Sequence, residues 1–284
     1  MTQISLLDVT HMLRPERAAL LSLLGGFDPD DWRKPTECPA WNVKELALHI
    51  LGDDLSILSR QRDAASNSLF LYAEDHPGLN FRELLDGFNE LWVHTARFFS
   101  PEVVVELLRT VGEASDAFYC EVGLETISGE PVGLFATTDP SPYWQVIARE
   151  YLERVVHQSQ IRRAVGAQPM GGDLIATVAS VTSHLLAAWS RDIAVSVGTT
   201  IALDFAEFGT STWVRSELEW SVIDGEPSGL VDARISVRAD AVVLIVSRGL
   251  DATAARAAVS VEGDQALGGR VLDIIAPLLG RPQP

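Results

Sequence analysis

Cysteine is nearly absent: the 284 residues hold two, Cys38 and Cys120, far apart and without C-x-x-C spacing. Neither a disulfide framework nor a thiolate zinc site is indicated, and a reducing, cytoplasmic setting is expected. Basic residues are scarce as well. Lys and Arg total 22 against 39 Asp and Glu, a formal net charge of −17. A nucleic-acid binder needs a basic footprint to displace counterions from phosphates. Here the Arg pairs, such as Arg162 and Arg163, are scattered through an acidic background. Nucleic acid and anionic membrane surfaces are therefore not expected partners. No run approaches the ~18 uncharged apolar residues of a membrane span. The opening M-T-Q-I-S-L-L-D-V-T-H has no basic n-region, so no secretory signal is expected. Internal repeats and low-complexity tracts are also missing.

What is present is a chain 47% hydrophobic and 21% charged, long enough for one large domain or two ordinary ones. The first 166 residues read as helices. Helical periodicity runs from about Ser5 to Leu24 and stops at Gly25-Gly26. After a loop rich in Pro and Asp, Asn42 is a candidate N-cap, with Glu45 placed to close a capping box. The helix so started is expected to reach about Asp63. Further amphipathic helices are predicted over 81–99 and 143–165, the last stopping at Gly166. Between them, 111–141 carries Gly112, Gly123, Gly129 and Gly133 and reads as a loop or hairpin over one end of the helices. Four such helices suggest an antiparallel four-helix bundle.

After Gly171-Gly172 the pattern changes. One more helix is expected over 173–195, then period-2 segments T-T-I-A-L-D-F, S-E-L-E-W-S-V-I, A-R-I-S-V-R-A and A-V-V-L-I-V-S-R, and a closing helix from Gln265 to Leu279. The fold class expected is α+β: a helical bundle over 1–168 and a small, mostly antiparallel α+β domain over 173–284.

Histidine stands out against this background. His49 sits inside the apolar run E-L-A-L-H-I-L-G-D-D, where an imidazole needs either hydrogen-bond partners or an ion. Glu153 and His157 are four residues apart, one turn along the same helix face, close enough to grip one ion. Bundle metal sites are built from residues of facing helices. A two-His, one-carboxylate set suits zinc and other borderline divalent metals and leaves coordination positions open. The bland readings are a core histidine satisfied by Glu45 or Asp53, one turn away on either side, and an exposed E-x-x-x-H pair that only supports its helix.

The run D-D-W-R-K-P-T-E-C-P-A-W-N-V-K-E-L-A-L-H resembles the start of the mycothiol-dependent maleylpyruvate isomerase family, within the wider DinB-like metal-binding bundles. Trp32, Pro35, Cys38, Pro39, Trp41 and His49 fall on that opening pattern, and E-R-V-V-H-Q-S-Q-I-R-R-A-V-G resembles the second motif. The closing V-S-V-E-G-D-Q-A-L is similar to the end of a sterol-carrier-like C-terminal domain. The resemblance implies a DinB-like bundle, His49, Glu153 and His157 as ligands of a divalent metal (zinc first), and mycothiol or a similar low-molecular-weight thiol as cofactor. It also implies an arginine reaching the active site from the second domain, for which Arg248 is the candidate; the bland reading is a solvated strand-end arginine. Cys38 is offered only a structural role. Three departures stand out: Gln160 where the family often has Asp, a position that orients the ligand imidazole; Ala40 in place of Gly; and the long segment 111–141.

The expected function is thiol-dependent S-transfer or cis–trans isomerisation of a small electrophilic substrate by a monomer or homodimer. A non-catalytic small-molecule binder and a metal-dependent hydrolase are the alternatives, separated from it by metal content and thiol-dependent turnover.

Overall fold

The computed structural model describes residues 6–129, 132, 135, 139–247 and 249–279. Among them are ten α-helices and a five-stranded sheet, so the α+β class holds. By its contacts the chain divides into two compact units. One comprises Thr10–Gly123 and His157–Pro169; the other comprises Met1–Val9, Leu124–Val156 and Met170–Pro284. Among the described residues no helix is long and apolar enough to cross a membrane.

In the first unit α1 (Thr10–Gly25), α2 (Val43–Ser56), α5 (Pro101–Glu121) and the C-terminal part of α6 (Tyr143–Val165) surround one core. Leu20, Leu24, Leu46, Ile50, Leu51, Val104, Leu108 and Ile161 meet there. The expected capping box starts α2. The Asn42 side chain accepts from Glu45 N at 3.0 Å and the Glu45 carboxylate accepts from Asn42 N at 3.0 Å. Past Ser56 the helix widens into a π-helical turn, Ile57–Arg62, a form that recurs at functional sites. Helices α3 (Ser68–Asp75) and α4 (Phe81–Ala96) lie further out: α3 buries no residue and α4 only Val93 and Ala96.

Helix α5 corrects the reading of 111–141 as loop or hairpin from its first residue. Ser100 caps it, Pro101 occupies its first turn, and Val104, Leu108, Ser115 and Tyr119 form one buried stripe. Gly112 acts here by close approach, since a Cβ would overlap the Arg17 guanidinium. That guanidinium, buried with Asp54 and Asp116, binds Asp54 at 2.8 and 2.9 Å and Asp116 at 2.7 and 3.0 Å. It ties α1, α2 and α5 together.

In the second unit the sheet order is β3-β2-β1-β4-β5, from β1 (Thr200–Asp204), β2 (Thr210–Arg215), β3 (Trp220–Asp224), β4 (Ala233–Val237) and β5 (Val259–Gly263). Only the β1–β4 pair is parallel, so the sheet is mostly antiparallel as expected. Helix α7 (Gly172–Trp189) belongs to this unit, and Trp213 Nε1 donates to Ser183 Oγ on it at 2.8 Å. The hairpin expectation is met in part, since Ile127 and Pro142 form a β-bridge. The segment A-V-V-L-I-V-S-R is a correction. It holds a short helix, α8 (Val242–Val246), which buries Val242 and Ile245, three residues apart. A short uniformly apolar run carries no period to separate helix from strand. Helices α9 (Ala252–Ala257) and α10 (Gln265–Leu279) also belong to this unit, as does α6 as far as Val156.

Candidate metal centre

His49 lies at the end of the second turn of α2, in a stretch buried without break from Leu46 to Leu51. His157 lies on α6 within the same unit. The fold brings their rings edge to face, centroids 4.8 Å apart and planes at 87°. Both imidazoles are buried. Glu153 is half-buried, one turn before His157 along α6. Among the described residues no group of three His, Cys, Asp or Glu side chains is arranged to hold a metal ion. Arg248 lies outside the described residues.

The surroundings of the two rings are specific. His157 Nδ1 is 2.9 Å from Gln160 Oε1. An amide oxygen only accepts, so this bond puts the proton on Nδ1 and makes Nε2 the lone-pair nitrogen. Trp41 covers His49, ring centroids 4.8 Å apart and planes at 31°. Asp53 brings a carboxylate oxygen 3.6 Å from His49 Nε2. Glu45, the other one-turn neighbour, is engaged in the capping box.

A cavity of about 220 Å³ opens beside His49, lined by Asp53, Ser56, Ser59, Phe88, Asn89 and Trp92 among others. Its aromatic wall depends on Gly52: a Cβ there would stand 2.5 Å from Trp92 Cδ1 and Nε1. Trp92 is held by its Nε1–H donating to Leu48 O at 2.7 Å. In the sequence Trp92 is one apolar residue of an amphipathic helix, and nothing local marks it as a cavity wall. The i,i+4 spacing of His49 and Asp53 was the one signal in the sequence for the carboxylate.

The donor set suits a borderline divalent cation. Neighbouring imidazoles, one with its tautomer leaving Nε2 as the lone-pair nitrogen, are donors of the type such a cation accepts.

The family model for the mycothiol maleylpyruvate isomerase N-terminal domain matches residues 13–162, more than half of the chain. The chain belongs to this family. Within the matched span lie His49, Asp53, Glu153, His157 and Gln160. Two solved structures of the mycothiol-dependent maleylpyruvate isomerase are similar to this family member. A histidine-to-alanine mutant has a TM-score of 0.49 at 13% identity, and a second structure has 0.45 at 11%; each covers 84% of this chain and 87% of its own. A UbiJ-SCP2 ubiquinone synthesis protein, 21% identical with a TM-score of 0.23, covers 37% of this chain and 89% of its own. No curated protein matches.

Proposed function

We propose that this protein is a metal-dependent enzyme that uses a low-molecular-weight thiol, mycothiol first, to isomerise a small electrophilic alkene such as maleylpyruvate or to transfer the sulfur to it. The observation that carries the reading is the edge-to-face pair of buried imidazoles, His49 and His157. In the proposed site these two and Glu153 hold a divalent ion, zinc by preference. A bound cation would supply a Lewis-acidic position where a thiol sulfur is kept as thiolate at neutral pH. Gln160 holds the His157 ring in the ligating tautomer, and Trp41 restrains His49. Asp53, on the cavity wall, is placed to take up the proton that the thiol releases. The cavity's hydroxyl and amide groups would orient the substrate against Trp92 and Phe88. Arg248 is proposed as a carboxylate clamp for substrate or thiol. Residues 173–284 are proposed as a separate, sterol-carrier-like domain.

Protein purified without chelator is expected to carry close to one divalent ion per chain by elemental analysis. His49→Ala and His157→Ala should lose it, along with thiol-dependent turnover of maleylpyruvate. Full metal occupancy in both variants, or turnover that needs no added thiol, overturns the reading.

A further inference from the structure

The turn before α2 reaches both imidazoles. It is internally braced: Trp41 N donates to Cys38 O at 2.9 Å, Cys38 N donates to Thr36 Oγ1 at 3.1 Å, and Thr36 Oγ1 donates to Trp41 O at 2.7 Å. It is also anchored to α6, because the Glu37 carboxylate takes a two-pronged bond from Arg163 at 2.7 and 2.6 Å. From this brace Trp41 reaches over His49. Cys38 Sγ lies 3.4 Å from Gln160 Oε1, the same oxygen that faces His157 Nδ1 at 2.9 Å.

We propose that Cys38 and Gln160 are positioning residues for His157, acting as one relay in which the Gln160 carbonyl oxygen accepts from both the Cys38 thiol and the imidazole Nδ1–H. The chemistry of that oxygen supports it. A carbonyl oxygen has two lone pairs, and here each has a donor. The thiol's bond to the oxygen favours the orientation that turns the carbonyl toward His157; the flipped amide would demand the opposite tautomer. Gln160 is neutral, so it orients the ring without adding the basicity that a carboxylate partner would confer. The half-buried Cys38 therefore acts at the site without touching the ion.

The relay rests on the proposed metal reading for its consequence but not for its geometry, and the test separates the two. Long-range ¹H–¹⁵N correlation on metal-free, ¹⁵N-histidine-labelled protein should show His157 as the Nδ1–H tautomer. Gln160→Leu should abolish that preference and weaken zinc binding in competition titration by about 10- to 100-fold, the usual range for such a partner. Cys38→Ala should weaken zinc several-fold, while Cys120→Ala, at an exposed cysteine, should leave affinity unchanged. Gln160→Glu should keep the tautomer and tighten zinc, and it serves as the test if Gln160→Leu does not fold. A wild-type His157 in the Nε2–H tautomer overturns the relay. So does zinc affinity indifferent to both Gln160 variants. If the wild type takes up no zinc, the metal reading falls, and the tautomer spectra of wild type and variants still decide for or against the relay.

Discussion

Replacing Arg17 with methionine should strongly destabilise the helical unit. The guanidinium is 3% exposed, and all five of its N–H donors are used: four toward Asp54 and Asp116, and one toward Leu108 O at 3.3 Å. Methionine fills much of the same volume, so the cost is mainly electrostatic. Two carboxylates, 0% and 1% exposed, would lose their shared counter-charge. Removing one partner from a buried ion pair costs about 3–5 kcal/mol. Against a total stability of about 5–15 kcal/mol, that is a large fraction. Urea unfolding followed by tryptophan fluorescence is the assay, with Trp32, Trp41 and Trp92 reporting from this unit. The triple variant Arg17→Met, Asp54→Leu, Asp116→Leu should recover most of the loss, because it removes the carboxylates as well. The deficit of the single variant should also change little with salt, since a buried pair is poorly screened. A loss below about 1 kcal/mol, or a triple variant less stable than the single one, would refute the reasoning.

Gly112→Ala should destabilise by about 1–3 kcal/mol through its clash with Arg17. In the Arg17→Met background it should cost much less, a coupling that a double-mutant cycle would measure. Gly52→Ala should displace Trp92 and break its bond to Leu48 O, changing the indole fluorescence and raising KM more than it lowers kcat. His184 carries a pH signature. Burial against Trp144 pushes its pKa below the ordinary 6.5, opposed by the Ser180 carbonyl and by Asp224. The folded state thus favours the neutral ring, and the unfolded chain binds the proton more readily. The stability this ring contributes is full above about pH 6.5 and declines as pH falls below it. Melting temperatures at pH 7.5 and 5.5 should therefore differ less for His184→Gln than for the wild type, and an equal difference would remove His184 from consideration.

Local chemistry sufficed for much of this protein. The capping box at Asn42 and Glu45, the helix from Tyr143 to Val165 and the closing helix from Gln265 are short-range features, set by caps and periodicity within a few residues. His49 was marked by one polar group in an apolar run, and its family by the P-T-E-C-P-A-W turn before it. Where the sequence misled, distant partners were deciding. Gly112 signalled a break, yet it sits inside α5 because a guanidinium 95 positions earlier needs the room of its missing side chain. The run A-V-V-L-I-V-S-R held no period, and only packing on two residues three apart made it a helix.

The division is clearest around the imidazoles. The sequence by itself determined which residue types could bind an ion and on which helices they ride, since those follow from composition and helical spacing. Only the tertiary structure decided that the rings of His49 and His157 meet. It also decided that Trp41 covers one of them, and that Cys38 and His157 share the oxygen of Gln160, 122 residues beyond the cysteine. The physical reason is reach. Hydrogen bonds and ring contacts act over 3–5 Å, whatever the separation along the chain, and no local pattern records which distant group will occupy that space.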